Sequence, residues 1–413
     1  MVPPPTQLRR KAPQPEGSFP LSGDFSGCPA CGAAGARPFY RAADVPAHSC
    51  VLMHSQEEAL NYPRSNIRLA LCESCGFIRN LDFDPSLVDY RQDYEETQGF
   101  SEVFNSFAQS LAERLVTAND LHGKDILEIG SGKGEFLALL CEIGNNSGTG
   151  IDPGYVPGRL RSPAMERMTF IRDYYDETYE GLSSDFICSR HTLEHIQAVA
   201  RFARLLRRSI GERRDVRVFI EVPDTERVLK ERAFWDIYHE HCSYFTLGSL
   251  GRLFRAEGFE LLELDKEYDD QYLVLTAAPS SVPPPRHSAE ETPQEVVDWV
   301  DRFELSVVAA TRDWRARITG LRAAGKRVVV WGSGSKGVTF LTTLGLGGEI
   351  DMVIDINPHK QGKFMPGTGH RIVGPDALSQ HAPDVVVAMN SVYCDEIRWE
   401  LKRRDVIAEV VGI

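Results

Sequence analysis

The chain has 413 residues, 42% of them hydrophobic and 25% charged, enough apolar material for two or three full-sized cores. Lys plus Arg number 46 against 59 Asp plus Glu, a formal charge of -13. Such a surface disfavours nucleic acid and anionic membranes as partners, and no apolar run approaches the roughly 20 residues of a membrane span.

Residues 1–16, rich in Pro and without an apolar stretch, read as a disordered lead-in and not as a secretory signal. A cytoplasmic, reducing setting is expected, so the nine cysteines read first as thiols or metal ligands. The next section, 17–84, carries Cys28 and Cys31 in CPACG and Cys72 and Cys75 in CESCG. Two CxxC knuckles supply four thiolates, which suits a closed tetrahedral Zn2+ of structural character. The glycine after each pair permits the tight turn. The long separation between the pairs predicts an insertion that loops out.

From 85 to 278 the polar-aromatic stretch YRQDYEETQGFSEVFNSF reads as helical and leads into strand and helix signals in alternation. DILEIG, GTGID, DFICSR and VRVFIEVP are strand candidates. Residues 279–294, rich in Pro and Ser, read as a linker. The last section, 295–413, opens on a helix from Glu295 to Ala324 and returns to alternation with RVVVWG, IDMVID and DVVVAM as strands. Alternation of this kind predicts α/β domains with doubly wound parallel sheets, one in the middle and a Rossmann-like one at the end.

DILEIGSGKGEF places Glu128, Gly130, Gly132 and Gly134 between a strand and a helix. This ExGxGxG pattern differs from the dinucleotide fingerprint GxGxxG. Asp152 ends the next strand, where an acid meets ribose hydroxyls, and Asp173 ends the one after, near an adenine amino group. Ligands sit at such carboxyl strand ends. Acids at three successive ends suit S-adenosylmethionine, which carries a sulfonium charge and no phosphate. SRHTLEHI follows the fourth strand, with His191 capping and lining the donor pocket.

The second glycine loop, Gly332, Gly334 and Gly337, precedes Asp355 by about 20 residues. Alone it reads as a dinucleotide site, and an NAD-dependent oxidoreductase is the alternative reading. A zinc-bearing module acting on a macromolecule is a third, against which the acidic charge speaks.

A four-cysteine module, an ExGxGxG domain and a second Rossmann-like domain in this order resemble the sugar C-methyltransferase family. The most specific pieces are YHEHCSYFT (Tyr238 to Thr246), GSGSKG (Gly332 to Gly337) and DINPHKQGKFMPGT (Asp355 to Thr368). The resemblance implies methylation of a carbon beside a ketone in a small molecule such as a nucleotide-linked keto sugar. It implies that Tyr238, Glu240 and His241 line the active site. His241 is expected as general base with Glu240 and Tyr238 assisting, and His239 as the competing base. Tyr94, Gln271 and Lys336 are expected at the substrate, the last with the basic loop Lys360 to Gly367. The resemblance also implies that the end domain walls the substrate cleft without nicotinamide. One departure stands out: where the deoxysugar enzymes carry a His-Gly-Gly-Ser-like turn, this chain has Asp269, Asp270, Gln271 and Tyr272. O- or N-methylation of a natural-product intermediate is the alternative within the class. A monomer or weak homodimer is expected.

Overall fold

The computed structural model describes residues 26–90 and 93–413; the expected lead-in, 1–16, lies outside the described residues. Three sheets organise the chain. The first is antiparallel and small. Strands β1 (Arg37–Pro46), β2 (Arg64–Leu71) and β3 (Ile78–Asn80) pair in order, and β3 pairs with the short β9 (Ser243–Tyr244) far along the chain.

The second sheet has seven strands. It contains β4 (Asp125–Ile129), β5 (Ser147–Ile151), β6 (Met168–Ile171), β7 (Phe186–Arg190), β8 (Arg217–Pro223), β10 (Phe259–Glu267) and β11 (Tyr272–Pro279). Their spatial order is β10-β11-β8-β7-β4-β5-β6. The five strands from β6 to β8 run parallel, and β11 enters antiparallel between β8 and β10. The order reverses between β4 and β7, and such a switch point opens a crevice at the strand ends.

The third sheet is parallel, with five strands: β12 (Val328–Trp331), β13 (Met352–Ile354), β14 (Ile372–Val373), β15 (Val385–Ala388) and β16 (Glu409–Gly412), in the order β14-β13-β12-β15-β16. The uninterrupted Val runs of β12 and β15 are buried, as a sheet covered on both faces requires.

The stretch between the cysteine pairs does not loop out. It forms the β1–β2 hairpin, and its Phe39, Tyr40, Ile67 and Leu69 share one core with Phe303, Val328 and Phe340 of the end section. The cysteine knuckles instead join the core of the middle sheet, where Phe77 packs with Phe245, Phe202 and Leu206 nearby. The N-terminal module therefore straddles both α/β units.

Two further expectations are corrected. Helix formation in the polar-aromatic stretch begins only at Glu102, with Ser101 as N-cap accepting from Phe104 N. Upstream, Asp93 to Glu95 pair with the module instead: Leu52 N donates to Asp93 O and Glu95 N to Cys50 O. Extended pairing leaves no turn of helix to form. The Pro-rich 279–294 stretch is also fastened. Glu290, buried, takes two hydrogen bonds from Arg255, and Glu291 accepts from Arg252 and Thr246. The helix after it, Pro293–Ala323, begins at a capping box made by Thr292 and Glu295.

Phe303 is fully buried, with its ring 6.0 Å from Phe39 and 5.7 Å from Tyr40. Phe303→Ala is expected to cost about 3–5 kcal/mol at this junction. Thermal unfolding should show an earlier transition that includes the hairpin; an unchanged melting curve would mean the hairpin does not depend on this contact.

Candidate active site

A large cleft, with a volume of about 750 Å3, runs along the carboxyl ends of the middle sheet and is walled on its far side by the end section. Glu128, Asp152, Asp173, His191, Tyr94, Tyr238, Glu240, His241, Gln271 and Lys336 all line it. The first glycine loop supplies one wall. Gly130, Gly132 and Gly134 have φ of 72°, 53° and 87°, the left-handed region. A Cβ on Gly130 would meet Thr192 Oγ1 at 1.9 Å, and one on Gly134 would meet the Phe170 ring at 2.5 Å.

The three strand-end acids differ in surroundings. Glu128 is buried and accepts from Leu137 N at 3.1 Å; burial raises its carboxyl to about 8 although Arg190 pulls the other way. Asp152 accepts from Gly132 N at 2.8 Å and from Gly154 N at 2.6 Å, and burial raises it as well. These bonds fix its carboxylate and leave lone pairs for a ligand. Asp173, at the cleft rim, accepts from the Tyr179 hydroxyl at 2.7 Å. The buried Ser131 hydroxyl of the glycine loop has no partner among the described residues. Carboxylates converging on glycine-lined space, with an orphaned hydroxyl beside them, fit a cationic nucleoside such as S-adenosylmethionine.

His191 adopts φ 48° and places Nε2 2.9 Å from Glu221 Oε1 and Nδ1 3.5 Å from Glu194 Oε1. Burial pushes its imidazole down, but these two carboxylates lift it to about 9. It is a cation braced by acids, with its ring against Tyr272 at 4.4 Å.

Within the YHEH run the side chains separate. The His241 ring lies 4.6 Å from that of Tyr238 and 4.8 Å from that of His195. Burial and the neighbouring His195, His191 and His48 keep His241 well below the usual imidazole range, so it is neutral. Tyr238 donates its proton to Asp236 Oδ1 at 2.8 Å. Glu240 turns toward the module, where Ser49 N donates to its Oε1 at 3.1 Å and Ser49 Oγ also binds it. Burial raises Glu240 to about 7. His239 is absent from the cleft lining: its Nδ1 meets Ala47 O at 3.0 Å and its Nε2 accepts from Asp84 N at 3.4 Å. The chain bends at 239–240 and carries the His239 ring toward the module.

Gln271 and Lys336 meet each other before any ligand. Lys336 Nζ donates to Gln271 Oε1 at 3.0 Å and sits 3.1 Å from Asp236 Oδ1. Gln271 also exchanges two hydrogen bonds with Asn390 of the end section. The turn before it, Tyr268 to Asp270, holds three successive non-glycine residues at φ of 55–56°, a conformation that costs each about 1–2 kcal/mol. Tyr94 packs its ring 4.9 Å from His48, and Lys133 Nζ takes the Tyr94 carbonyl.

The second glycine loop lines the same cleft and engages its own acid locally. Asp355 accepts from Ser333 N, Ser333 Oγ and Asn357 N, so the expected ribose acid braces its own loop. Ser335, first residue of the helix Ser335–Leu344, bonds Ser49 Oγ at 2.6 Å and Cys50 Sγ at 3.2 Å. Module side chains thus contact the first residue of this helix, while the glycines beside it line the cleft.

The cysteine pairs close on each other. Cys28 and Cys75 Sγ are 3.7 Å apart, as are Cys31 and Cys72, and all four sulfurs lie within 4.8 Å of one another. Four thiolates about 2.3 Å from a tetrahedral zinc would be about 3.8 Å apart. The donor set and spacing fit that ion.

A model described as a methyltransferase domain matches residues 101–264, and one described as a C-methyltransferase C-terminal domain matches 286–407. The chain is an S-adenosylmethionine-dependent methyltransferase. It is similar to the C-methyltransferase NovU of Streptomyces niveus, 28% identical over 365 residues that cover 84% of this chain and 85% of the relative. Family models and relative together support a sugar C-methyltransferase-like family and methylation of a natural-product-type substrate. Among solved structures, a Burkholderia thailandensis 1,6-didemethyltoxoflavin-N1-methyltransferase is 20% identical over 44% of this chain and 82% of its own, at a TM-score of 0.33. The calicheamicin-biosynthesis methyltransferase CalO1 is 19% identical over 43% of this chain and 55% of its own, at a TM-score of 0.34.

Several cleft residues carried no motif of their own. Asp236 stands two residues before Tyr238, so a wider reading of that run reaches it. His48 and Ser49 sit in no recognisable pattern, and only the fold brings them to Glu240.

Asp152→Asn keeps one acceptor and loses the charge. It is expected to weaken S-adenosylhomocysteine binding roughly tenfold by calorimetry, whereas NADH should show no saturable binding to the unaltered chain. Undiminished affinity in the variant would remove Asp152 from the nucleoside site.

Proposed function

We propose that this methyltransferase alkylates a carbon beside a carbonyl in a small keto substrate such as a nucleotide-linked keto sugar. The observation that carries the reading is the neutral His241 imidazole, held between the Tyr238 and His195 rings at the cleft. A general base must be unprotonated at the working pH and face the reacting carbon. The bound donor supplies an electrophilic methyl on sulfur. Glu128, Asp152, Asp173 and the first glycine loop hold its nucleoside and amino-acid ends, with His191 braced beside them by Glu194 and Glu221.

His241 takes the proton from the substrate carbon onto an imidazole nitrogen, leaving the electron pair on the enolate. Tyr238, its own proton given to Asp236, fixes the His241 ring by edge contact. Glu240, balanced near neutrality, exchanges protons with the site as charge builds. Gln271 and Asn390 shape the acceptor side. Lys360, whose Nζ is 3.8 Å from the position of a Cβ on Gly334, brings positive charge to the second glycine loop, where an anionic group on the acceptor would be met. Lys336 already shares its charge with Asp236, so its part is to hold Gln271. The four cysteines hold a structural zinc with no open position.

His241→Ala should bind S-adenosylhomocysteine as the unaltered chain does and lose turnover by about 100-fold or more. The acceptor for this measurement comes from a screen of labelled S-adenosylmethionine against keto sugars and cell extract, with mass detection. Full turnover in the variant would take His241 out of the reaction. Metal analysis should find one zinc per chain, lost in Cys72→Ser together with the fold of the knuckles; a metal-free, folded chain would refute the structural role.

A further inference from the structure

The segment Ala47 to Cys50 belongs to the N-terminal module, yet it reaches the YHEH run, the second glycine loop and Tyr90 and Tyr94. The Ala47 carbonyl meets His239, and Ser49 meets Glu240. Ser49 and Cys50 both meet Ser335 at the second glycine loop. His48 is fully buried, with its ring 5.0 Å from Tyr90 and 4.9 Å from Tyr94.

We propose that Ser49 is a positioning residue that sets the orientation and proton affinity of Glu240 through a hydroxyl relay running from Ser335 on the end domain. The proposal rests on the reading that Glu240 works in this cleft. Ser49 has one hydroxyl proton. With Glu240 ionised, Ser49 Oγ donates to Glu240 Oε1 and in turn accepts from Ser335 Oγ 2.6 Å away. When Glu240 is protonated the same chain runs in reverse, the carboxyl donating to Ser49 and Ser49 to Ser335. No proton is gained or lost along the relay; its direction follows the state of the carboxyl.

Nothing else among the described residues fills this role. His48 Nδ1 is 3.8 Å from Glu240 Oε1, but neither ring nitrogen has a hydrogen-bond partner, and burial holds the imidazole neutral, at about 3. It packs against the carboxyl without charging it. Glu240 Oε2 is unpartnered as well. The other titratable groups that feel Glu240 are Tyr62, Tyr90, Tyr94, Tyr238, Tyr244 and, from the same module segment, Cys50. All are neutral acids raised by burial, so none supplies a positive partner. Apart from its own amide, the ionised carboxyl is held by the two Ser49 donors alone. A hydrogen bond to the charged form lowers a carboxyl's proton affinity. Its removal must raise that affinity.

The test needs no acceptor. Infrared difference titration of the zinc-loaded full chain reports the carboxylic-acid stretch of Glu240, identified as the band missing in Glu240→Gln. In the unaltered chain its midpoint should lie near neutrality. Ser49→Ala should move that midpoint up by about one pH unit, and Ser49→Thr should return it, while calorimetric affinity for S-adenosylhomocysteine stays the same. Ser335→Ala should move it in the same direction by less, and this variant decides the matter if Ser49→Ala does not fold. A Glu240 midpoint unmoved in Ser49→Ala, or in Ser335→Ala where only that variant folds, overturns the relay. Failure of the underlying reading shows differently: Glu240→Gln would then turn over the screened acceptor at the full rate, whatever the infrared midpoint does.

Discussion

The structure depends on one piece of apolar packing, the N-terminal module wedged across two α/β units. Its hairpin gives Phe39, Tyr40, Ile67 and Leu69 to the core of the end section, and its knuckles give Phe77 and the cysteines to the core of the middle one. β3 even extends its sheet with β9, the strand that directly follows the YHEH run. Two sheets joined only by a linker would move against each other. Here the module and the Gln271–Asn390 amide pair cross the seam at separate points, and the buried Glu290–Arg255 pair fastens the linker to the middle unit. The cleft is a shaped cavity because its two walls share cores with a common third body.

That rigidity has an electrostatic consequence. Water is excluded from the seam, so ionisable groups there move far from their ordinary values. Burial raises Glu128 to about 8 and Glu96 and Glu240 to about 7, and it depresses His241 and His195. His191 moves the other way, to about 9, because Glu194 and Glu221 sit beside it. Acids that bind protons at neutrality and imidazoles that do not are thereby placed within one cavity. This is the sorting that proton abstraction demands.

Much of this was legible in the sequence because it depends on local pattern. The segments DILEIG, GTGID, DFICSR and RVVVWG are short β-prone stretches ended by glycine or charge, and each forms a strand in the fold. Glycine spacing announced both loops, and CxxCG announced both knuckles. What escaped was long-range. His239 reads as well as His241 until the fold carries its imidazole to Ala47 and Asp84, away from the cleft. The region between the knuckles looked like a spare insertion because its hydrophobic face answers to Phe303, some 230 positions away. YRQDYEETQGF has helical composition, but pairing with Cys50 to Leu52 outweighs propensity there. Ser49 carries no signal at all, since its partners Glu240 and Ser335 lie 191 and 286 residues on.

The second glycine loop shows how a fold outlives the ligand its motif describes. Gly332, Gly334 and Gly337 still make the tight turn: a Cβ on Gly337 would meet Gly332 O at 2.3 Å, so backbone packing alone keeps glycine there. The acid at the end of β13 is present, and its oxygens accept from Ser333 and Asn357 of the surrounding loops. The helix N-terminus is present, but Ser49 and Cys50 cover its first residue. These elements brace the loop and grip the module while still facing the cleft. The domain thus contributes a wall and an anchor to the cavity. Its motif identifies a backbone shape, whereas the neighbours of Asp355 and Ser335 decide what that shape is used for.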